Sequence, residues 1–72
     1  MDIYFSKKSL SHFKVDEGRH QITIYLVNGE SFTTETFERF REYIETLRKM
    51  LSEYESYGGV VRYDTGTRKL YF

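Results

Sequence analysis

Apolar and polar residues recur with a helical period over one long stretch of the chain, from Thr34 to Tyr57. The apolar residues return at steps of three and four, which places them on one side of a helix. Thr33 or Thr34 is expected to cap the first turn. Gly58 and Gly59 are expected to end the helix, because glycine adopts the left-handed conformation of a C-cap. The apolar side consists of Phe37, Phe40, Ile44, Leu47, Leu51 and Tyr54, widened by Tyr43, Met50 and Tyr57.

This spacing leaves two packing partners open for the helix. A coiled-coil seam is narrow and carries charge on both sides. Here one side of the seam carries Tyr43 and Met50, and only about three heptads are present. A wide apolar side favours packing on a sheet of the same chain. We therefore expect a helix on a sheet, with a partner helix as the alternative.

Period-two alternation and turn residues predict six short strands, four before the helix and two after it. Asp2–Phe5 is expected at the edge of a sheet. Residues 16–18 predict a tight turn with positive φ at Gly18, and Asn28-Gly29 predicts a hairpin. The predicted fold class is α+β: an antiparallel sheet of about five to six strands packed on one long helix, in the order β-β-β-β-α-β-β, as one domain over residues 1–72. The predicted strands span residues 2–5, 11–15, 20–27, 30–33, 60–63 and 69–72.

The sequence also predicts which side of the sheet the helix covers. A two-residue loop at Asn28-Gly29 pairs Tyr25 with Phe32, so these two side chains share a face. The aliphatic residues of the same strand point the other way and are the expected seat of the helix. Either the chain before Ser11 or the last hairpin covers the second face, or this face is an aromatic contact surface. The helix-covered side holds Ile22, Ile24 and Leu26, and the contact surface holds Tyr25, Val27 and Phe32.

Composition narrows the classes of function. With 72 residues and no cysteine, the core is small and has no disulfide, so self-association is one way to gain burial. Lys+Arg and Asp+Glu are equal at 11 each, which gives no overall attraction for nucleic acid or acidic membranes. No apolar run reaches membrane-spanning length, and the first residues do not form a signal peptide. The expected location is therefore cytoplasmic.

His12 and His20, the only histidines, are the candidates for chemistry. The predicted turn makes them neighbours on adjacent strands, but two ligands without a third make a poor metal site. His20 beside Arg19 is the one arrangement for general acid–base cleavage of RNA, as in a small RNase or toxin. No other catalytic or nucleotide-binding motif occurs. The sequence therefore predicts no cofactor, no metal and no enzymatic activity.

Basic and aromatic residues are interleaved in the last predicted hairpin. Such interleaving is typical of surfaces that grip single-stranded nucleic acid by stacking and charge. Strand alternation places Lys69 and Tyr71 on one face, away from Leu70. The balanced net charge makes nucleic acid the second choice of partner. The candidate contacts are Lys7, Lys8, Arg62, Arg68, Lys69 and Tyr71.

These observations favour a small non-enzymatic protein-binding or regulatory module. Its partner is expected to be a second copy, giving a homodimer, or a host protein; nucleic acid is the alternative, and no membrane is involved. In size and composition the chain is similar to short accessory proteins of viruses and mobile elements. An accessory or inhibitor protein of such an element, acting by protein–protein contact, is a special case of this function.

Overall fold

A computed structural model describes residues 1–52 and 59–72 of the chain. The elements follow the predicted order β-β-β-β-α-β-β, which confirms the α+β class. The single sheet of about five to six strands predicted from the sequence is wrong, because the strands divide between two three-stranded antiparallel sheets that bury their inner sides in one shared core. The bounds are β1 Asp2–Phe5, β2 Leu10–Asp16, β3 Gln21–Leu26, β4 Ser31–Thr33, α1 Phe40–Leu51, β5 Val61–Asp64 and β6 Lys69–Tyr71.

The two sheets draw on different parts of the chain. The terminal sheet has the order β1-β5-β6 and joins the first strand to the last two; β1 lies at its edge, as predicted. The meander sheet has the order β2-β3-β4. A bulge between Leu10 and His12 sets the β2 register. Phe13 then pairs with Ile24, and both pack towards the core.

The β3–β4 hairpin differs by one residue from the predicted register. Its loop spans three residues, 27–29, where the sequence predicts two. Gly29 closes the loop with φ of +94°, a conformation that favours glycine. Phe32 therefore pairs with Ile24 rather than with Tyr25. A shift of one residue moves every side chain of a strand to the opposite face.

The shift turns Phe32 into the core, so its predicted place on an exposed face beside Tyr25 is wrong. The Phe32 ring centroid lies 4.2 Å from that of Tyr63 and 5.8 Å from that of Phe5. The Tyr63 hydroxyl donates to Thr33 O at 2.8 Å. Full burial of a phenylalanine side chain is worth about 1.5–3 kcal/mol, so even the partial burial of Phe32 favours the observed register. These contacts join the two sheets.

The helix packs on the aliphatic side of the meander sheet, as the sequence predicts. Ile22 and Ile24 are fully buried there in one cluster with the helix. Met50 is fully buried, whereas Leu51 is 38% exposed, so the buried side of α1 lies towards Met50. The shared core consists of Phe5, Leu10, Ile22, Ile24, Leu26, Phe40, Ile44, Leu47, Met50, Val61, Tyr63 and Leu70.

α1 begins at Phe40, later than the predicted start at Thr34. Thr34 is buried against β3 instead: its N–H donates to Ile22 O at 2.9 Å, and its hydroxyl accepts the Ile22 N–H at 3.0 Å. The Glu35 N–H donates to Arg68 O at 2.9 Å. These hydrogen bonds continue the pairing with β3 past the end of β4 and tie the next residue to the turn before β6, so the chain here is held between the two sheets instead of starting a helix.

Both ends of α1 fall inside the predicted stretch. The cap predicted at Thr33 or Thr34 is wrong, because Arg39 occupies the N-cap position and makes no side-chain cap hydrogen bond. At the other end, the Ser52 N–H donates to Lys49 O at 3.2 Å. The rest of the predicted helix, with Tyr54, Tyr57 and Gly58, lies outside the described residues.

Gly29→Ala tests the left-handed position in the β3–β4 loop. A Cβ at Gly29 meets no atom within 4 Å, but its φ of +94° strains any residue that carries a Cβ. We expect the substitution to lower the free energy of unfolding by about 1–2 kcal/mol in urea denaturation.

Gly18→Ala is the matched control. The positive φ predicted at Gly18 is wrong, since the left-handed residue in that turn is His20, with φ of 53°. A Cβ at Gly18 lies 3.5 Å from Asp16 Oδ1, an ordinary contact. We expect stability to stay unchanged or to rise slightly, because alanine lowers the entropy of the unfolded chain. Equal losses in the two variants would contradict the loop geometry.

Tyr63→Phe tests the hydrogen bond between the sheets. It removes the hydroxyl that donates to Thr33 O and keeps the ring against Phe32. We expect the free energy of unfolding at pH 7 to fall by about 1 kcal/mol. Tyr4→Phe, at an exposed ring, is the control and should change stability very little.

The pH dependence of Tyr63→Phe gives a second readout. Burial raises the pKa of Tyr63 above its ordinary value of 10.0. The stability linked to the neutral hydroxyl is complete below pH 10 and is lost as the pH rises through the raised pKa. In that range the variant should lose less stability than the wild type. Parallel losses in both proteins would show that another group titrates.

Candidate functional site

The outer side of the terminal sheet carries a row of three large side chains. Tyr4 pairs with Arg62, and Arg62 pairs with Tyr71, so the three lie side by side across the sheet. Their strand neighbours Val61 and Leu70 are buried, and alternation therefore directs the row outwards. Tyr4 is 63% exposed and Tyr71 is 41% exposed. We call this surface, with Asp2, Asp64 and Lys69, the tyrosine–arginine face.

Arg62 is held from two sides at the centre of this face. Its guanidinium carbon lies 4.1 Å from the Tyr71 ring centroid, within cation–π range. Its Nη1 atom donates to Asp2 Oδ2 at 3.3 Å. These two contacts restrain the guanidinium, and a restrained side chain loses less entropy when it enters an interface.

The second row of the face consists of charged residues. Asp2 pairs with Asp64, and Asp64 pairs with Lys69. Asp64 Oδ1 accepts the backbone N–H of Gly66 at 2.8 Å and that of Thr67 at 3.3 Å. These two hydrogen bonds lower the pKa of Asp64 below its ordinary value of 3.8. The carboxylate is therefore committed to the β5–β6 turn.

An open groove adjoins the face beside β6. Its volume is about 400 Å³, within the range of small-ligand pockets. Phe37, Tyr43 and Tyr71 give it an aromatic lining. The Tyr43 ring centroid lies 4.9 Å from that of Phe37 and 5.0 Å from that of Phe72. Charged residues complete the rim: Glu35, Glu38, Arg39, Arg68 and Lys69.

Two cations of the groove rim face carboxylates. The Nη2 atom of Arg39 donates to Glu42 Oε2 at 2.7 Å, and this hydrogen bond raises the pKa of Arg39. The Nζ atom of Lys69 lies 3.7 Å from Glu35 Oε1. The groove therefore offers aromatic surface with locally balanced charge, rather than a pocket of one sign.

The structure does not bring together the contact surface that the sequence predicts. Tyr25 lies on the outer side of the meander sheet, where the His12 ring stacks on it at 4.4 Å. Lys14 Nζ lies 5.5 Å from the same ring. Val27 is exposed in the hairpin loop, and Phe32 is turned into the core. Tyr25 is therefore half-covered by its own neighbours.

Part of the predicted nucleic-acid surface is brought together. Lys7 lies in the turn after β1, and its Nζ donates to Ser52 O at 2.9 Å. It therefore sits at the C-terminal end of α1, where the helix dipole favours a cation. Lys8 is exposed in the same turn. Four predicted residues lie together in the β5–β6 hairpin: Arg62, Arg68, Lys69 and Tyr71.

The two histidines lie apart, so the prediction that they are neighbours on adjacent strands is wrong. His12 lies on β2, opposite Tyr25 near the far end of β3. His20 precedes β3, and its ring stacks on Phe40 at 4.7 Å. Within residues 1–52 and 59–72, no group of three or more His, Cys, Asp or Glu side chains is placed to hold a metal ion.

Tyr4 is the site residue that the sequence analysis missed. The sequence contains part of the signal, because alternation along β1 sets Tyr4 on the face opposite to Ile3 and Phe5. The structure shows that Ile3 and Phe5 are the more buried residues. This alternation shows that Tyr4 faces outwards but not which strand lies beside it. The pairing of β1 with β5, distant in sequence, sets Tyr4 next to Arg62.

The chain was compared with protein-family models, with curated proteins and with solved structures, and nothing matches. Across residues 1–52 and 59–72, no helix has the length and apolar character needed to cross a membrane. What the tyrosine–arginine face can do follows from its own side chains.

Asp64→Asn tests the electrostatics of the face. The lowered pKa means that the stability contributed by the ionised carboxylate is complete above pH 3.8 and is lost as the pH falls through the folded-state pKa. Asparagine keeps an acceptor oxygen but does not titrate. In thermal melts we expect the wild type to be the more stable at pH 7, with the gap closing in acid. A gap that is independent of pH would contradict this role.

Proposed function

We propose that the protein is a small non-enzymatic binding module, that its partner is another protein, and that the tyrosine–arginine face is the contact surface. The observation that carries this proposal is the row of Tyr4, Arg62 and Tyr71 on the outer side of the terminal sheet. Both tyrosine rings are exposed, and the guanidinium contacts Tyr71 and Asp2. A partly apolar row of this kind is suited to recognition by shape and ring contact.

Residue type and exposure favour this face over the outer side of the meander sheet. Tyrosine and arginine are enriched among the residues that dominate binding energy at interfaces. Tyr4 and Tyr71 present exposed rings, whereas Tyr25 is half-buried beneath His12. An open ring gains more buried area on association than one already covered.

The local charges favour a protein over a nucleic acid. Arg62 faces Asp2, and Lys69 faces Glu35. A polyanion gains affinity when protein cations replace its counterions, and cations that already face carboxylates supply little of this gain. We therefore expect a partner surface of balanced charge, with apolar and hydrogen-bonding groups opposite the tyrosines.

The surroundings of the histidines support a non-enzymatic role. The rings of His12 and His20 stack on different aromatic residues at different places in the fold. General acid–base cleavage needs its groups within hydrogen-bond reach of one substrate atom or its neighbours. A small RNase or toxin is therefore the weaker candidate. A cytoplasmic location, a host-protein partner and a viral or mobile-element origin stay predictions from the sequence.

Matched substitutions on the two sheets test the contact surface. Arg62→Ser and Tyr71→Ser alter the proposed face. Lys14→Ser and Tyr25→Ser alter the equivalent cation–tyrosine pair on the meander sheet. A protein captured from the native host is identified, purified and titrated against each variant by calorimetry. We expect the face variants to bind at least about ten-fold more weakly and the controls to bind as the wild type does.

If Lys14→Ser and Tyr25→Ser bound weakly while the face variants bound as the wild type does, the contact surface would lie on the meander sheet instead. The nucleic-acid alternative is tested on the same proteins with single-stranded DNA and RNA at low salt. We expect no binding. Binding that weakens steeply with salt and disappears in Arg62→Ser would replace the protein partner with a nucleic acid.

A further inference from the structure

β1 presents an unpaired hydrogen-bonding edge. The carbonyl of Met1 accepts the Thr65 N–H, so the backbone groups of Met1 point towards β5. In an antiparallel pair the groups of successive residues point to alternate sides. Those of Ile3 therefore also point to β5, and those of Asp2 and Tyr4 point away from it. No hydrogen bond reaches these outward groups from any described residue.

The other sheet edges carry features that discourage pairing with a second chain. The β2 edge has a bulge next to His12 and the cation of Lys14. The β4 and β6 sides approach each other, because Glu35, just beyond β4, donates to the carbonyl of Arg68, just before β6. β1 has no bulge, lysine or proline. Among the described strands, β1 is therefore the edge that has none of these features.

The space beside β1 is also open. A groove of about 410 Å³ is lined by residues of β1 on one side and of the β3–β4 loop on the other. The exposed side chains of Tyr4 and Val27 lie on this lining. An incoming strand that paired with β1 would remove apolar surface of both from water, which adds to the backbone hydrogen bonds.

We infer that a second copy of the chain pairs with this edge, β1 against β1, antiparallel and with the two-fold axis at Ile3. In this register Asp2 lies opposite Tyr4 of the second copy, and Tyr4 lies opposite Asp2 of the second copy. Both outward residues of each strand then form hydrogen-bonded pairs within the strand bounds. The result is one six-stranded antiparallel sheet.

Charge selects this register over its neighbours. Pairing centred on Asp2 sets two carboxylates side by side, which is unfavourable. Pairing centred on Tyr4 leaves the Asp2 groups beyond the end of the other β1. Pairing centred on Ile3 sets each carboxylate beside a tyrosine, and each Asp2 keeps Arg62 of its own chain at 3.3 Å. The edge is therefore complementary to itself, as a two-fold dimer requires.

This inference does not rest on the proposed function, but a dimer would change how the proposed contact surface is presented to a partner. The sheet formed by two copies carries two tyrosine–arginine faces on one continuous surface. Three strand spacings of about 4.8 Å, together with an offset of two residues or about 6.7 Å along the strands, place the two Arg62 residues roughly 16 Å apart. A dimer therefore offers a partner two adjacent copies of the same contact. A short edge buries little surface, so the dimer is expected to form at high protein concentration.

Proline at position 4 tests the edge directly. Tyr4→Pro removes an N–H that points away from β5, so the β1–β5 ladder keeps its hydrogen bonds. Tyr4→Thr is the matched control, because it removes the same ring and keeps the N–H. In sedimentation equilibrium up to millimolar protein, we expect wild type and Tyr4→Thr to dimerise. The dimer dissociation constant of Tyr4→Pro should be at least about ten-fold higher than that of Tyr4→Thr.

Circular dichroism establishes that Tyr4→Pro and Tyr4→Thr are folded. Ile3→Pro removes a donor from the β1–β5 ladder and is expected to unfold the terminal sheet, which checks the assignment of outward and inward groups. A wild-type chain that stays monomeric throughout the series overturns the proposal. So does a folded Tyr4→Pro that dimerises as well as Tyr4→Thr.

Disulfide trapping tests the register without relying on stability. The chain has no cysteine, so Asp2→Cys and Tyr4→Cys each introduce one thiol. In the proposed dimer these positions face each other across copies at a Cα distance of about 5.5 Å, which a disulfide spans. Two copies of the same variant place their thiols farther apart than about 7 Å.

A mixture of the two cysteine variants in a glutathione buffer should therefore give the crossed dimer at least about ten-fold faster than either variant alone gives its own dimer. Equal rates in all three samples overturn the register. Tyr71→Ser leaves the β1 edge intact and should dimerise as the wild type does, so failure of partner binding is distinguishable from failure of dimerisation.

Discussion

Phe32 joins the two sheets of this protein, and its contact with the terminal sheet directs the inner sides of both sheets towards each other. Its ring packs against Tyr63 and Phe5 of the terminal sheet, and the Tyr63 hydroxyl adds a hydrogen bond to Thr33 O. The inner sides of both sheets are thereby committed to one core with α1. What remains for contact with other molecules is the outer side of each sheet, the sheet edges and the exposed side of α1.

The outer sides of both sheets carry a cation beside a tyrosine ring, but the two pairs differ in distance and in exposure. On the meander sheet the Tyr25 ring is covered by His12 and lies 5.5 Å from Lys14 Nζ. On the terminal sheet the guanidinium of Arg62 lies closer to its tyrosine, and Tyr4 on the neighbouring strand stays open. The pair on the meander sheet is thus shielded by its own chain. The pair on the terminal sheet is restrained but accessible, and this combination lowers the entropic cost of binding a partner.

Periodicity was enough to predict the α+β class, the order of the elements and the side on which the helix packs, because these depend on local alternation. The register of β3–β4 depends on a competition that the loop residues do not reveal. Asn28-Gly29 favours a two-residue loop, but the burial of Phe32 between distant side chains favours three. The helix begins late for a similar reason, since Glu35 finds its partner at Arg68. Predicting the candidate face would have required knowledge that β1 pairs with β5, and no local sequence pattern contains that information.

The pairing of Phe5 with Val61 has a consequence for how the chain acquires its surface during synthesis. The meander sheet is built from consecutive strands, so all of its strands are present once β4 has been synthesised. The terminal sheet has to wait until β5 and β6 have emerged, and until then the inner side of β1 has no cover. The proposed contact surface, the tyrosine–arginine face, is therefore the last part of the fold to be completed during synthesis.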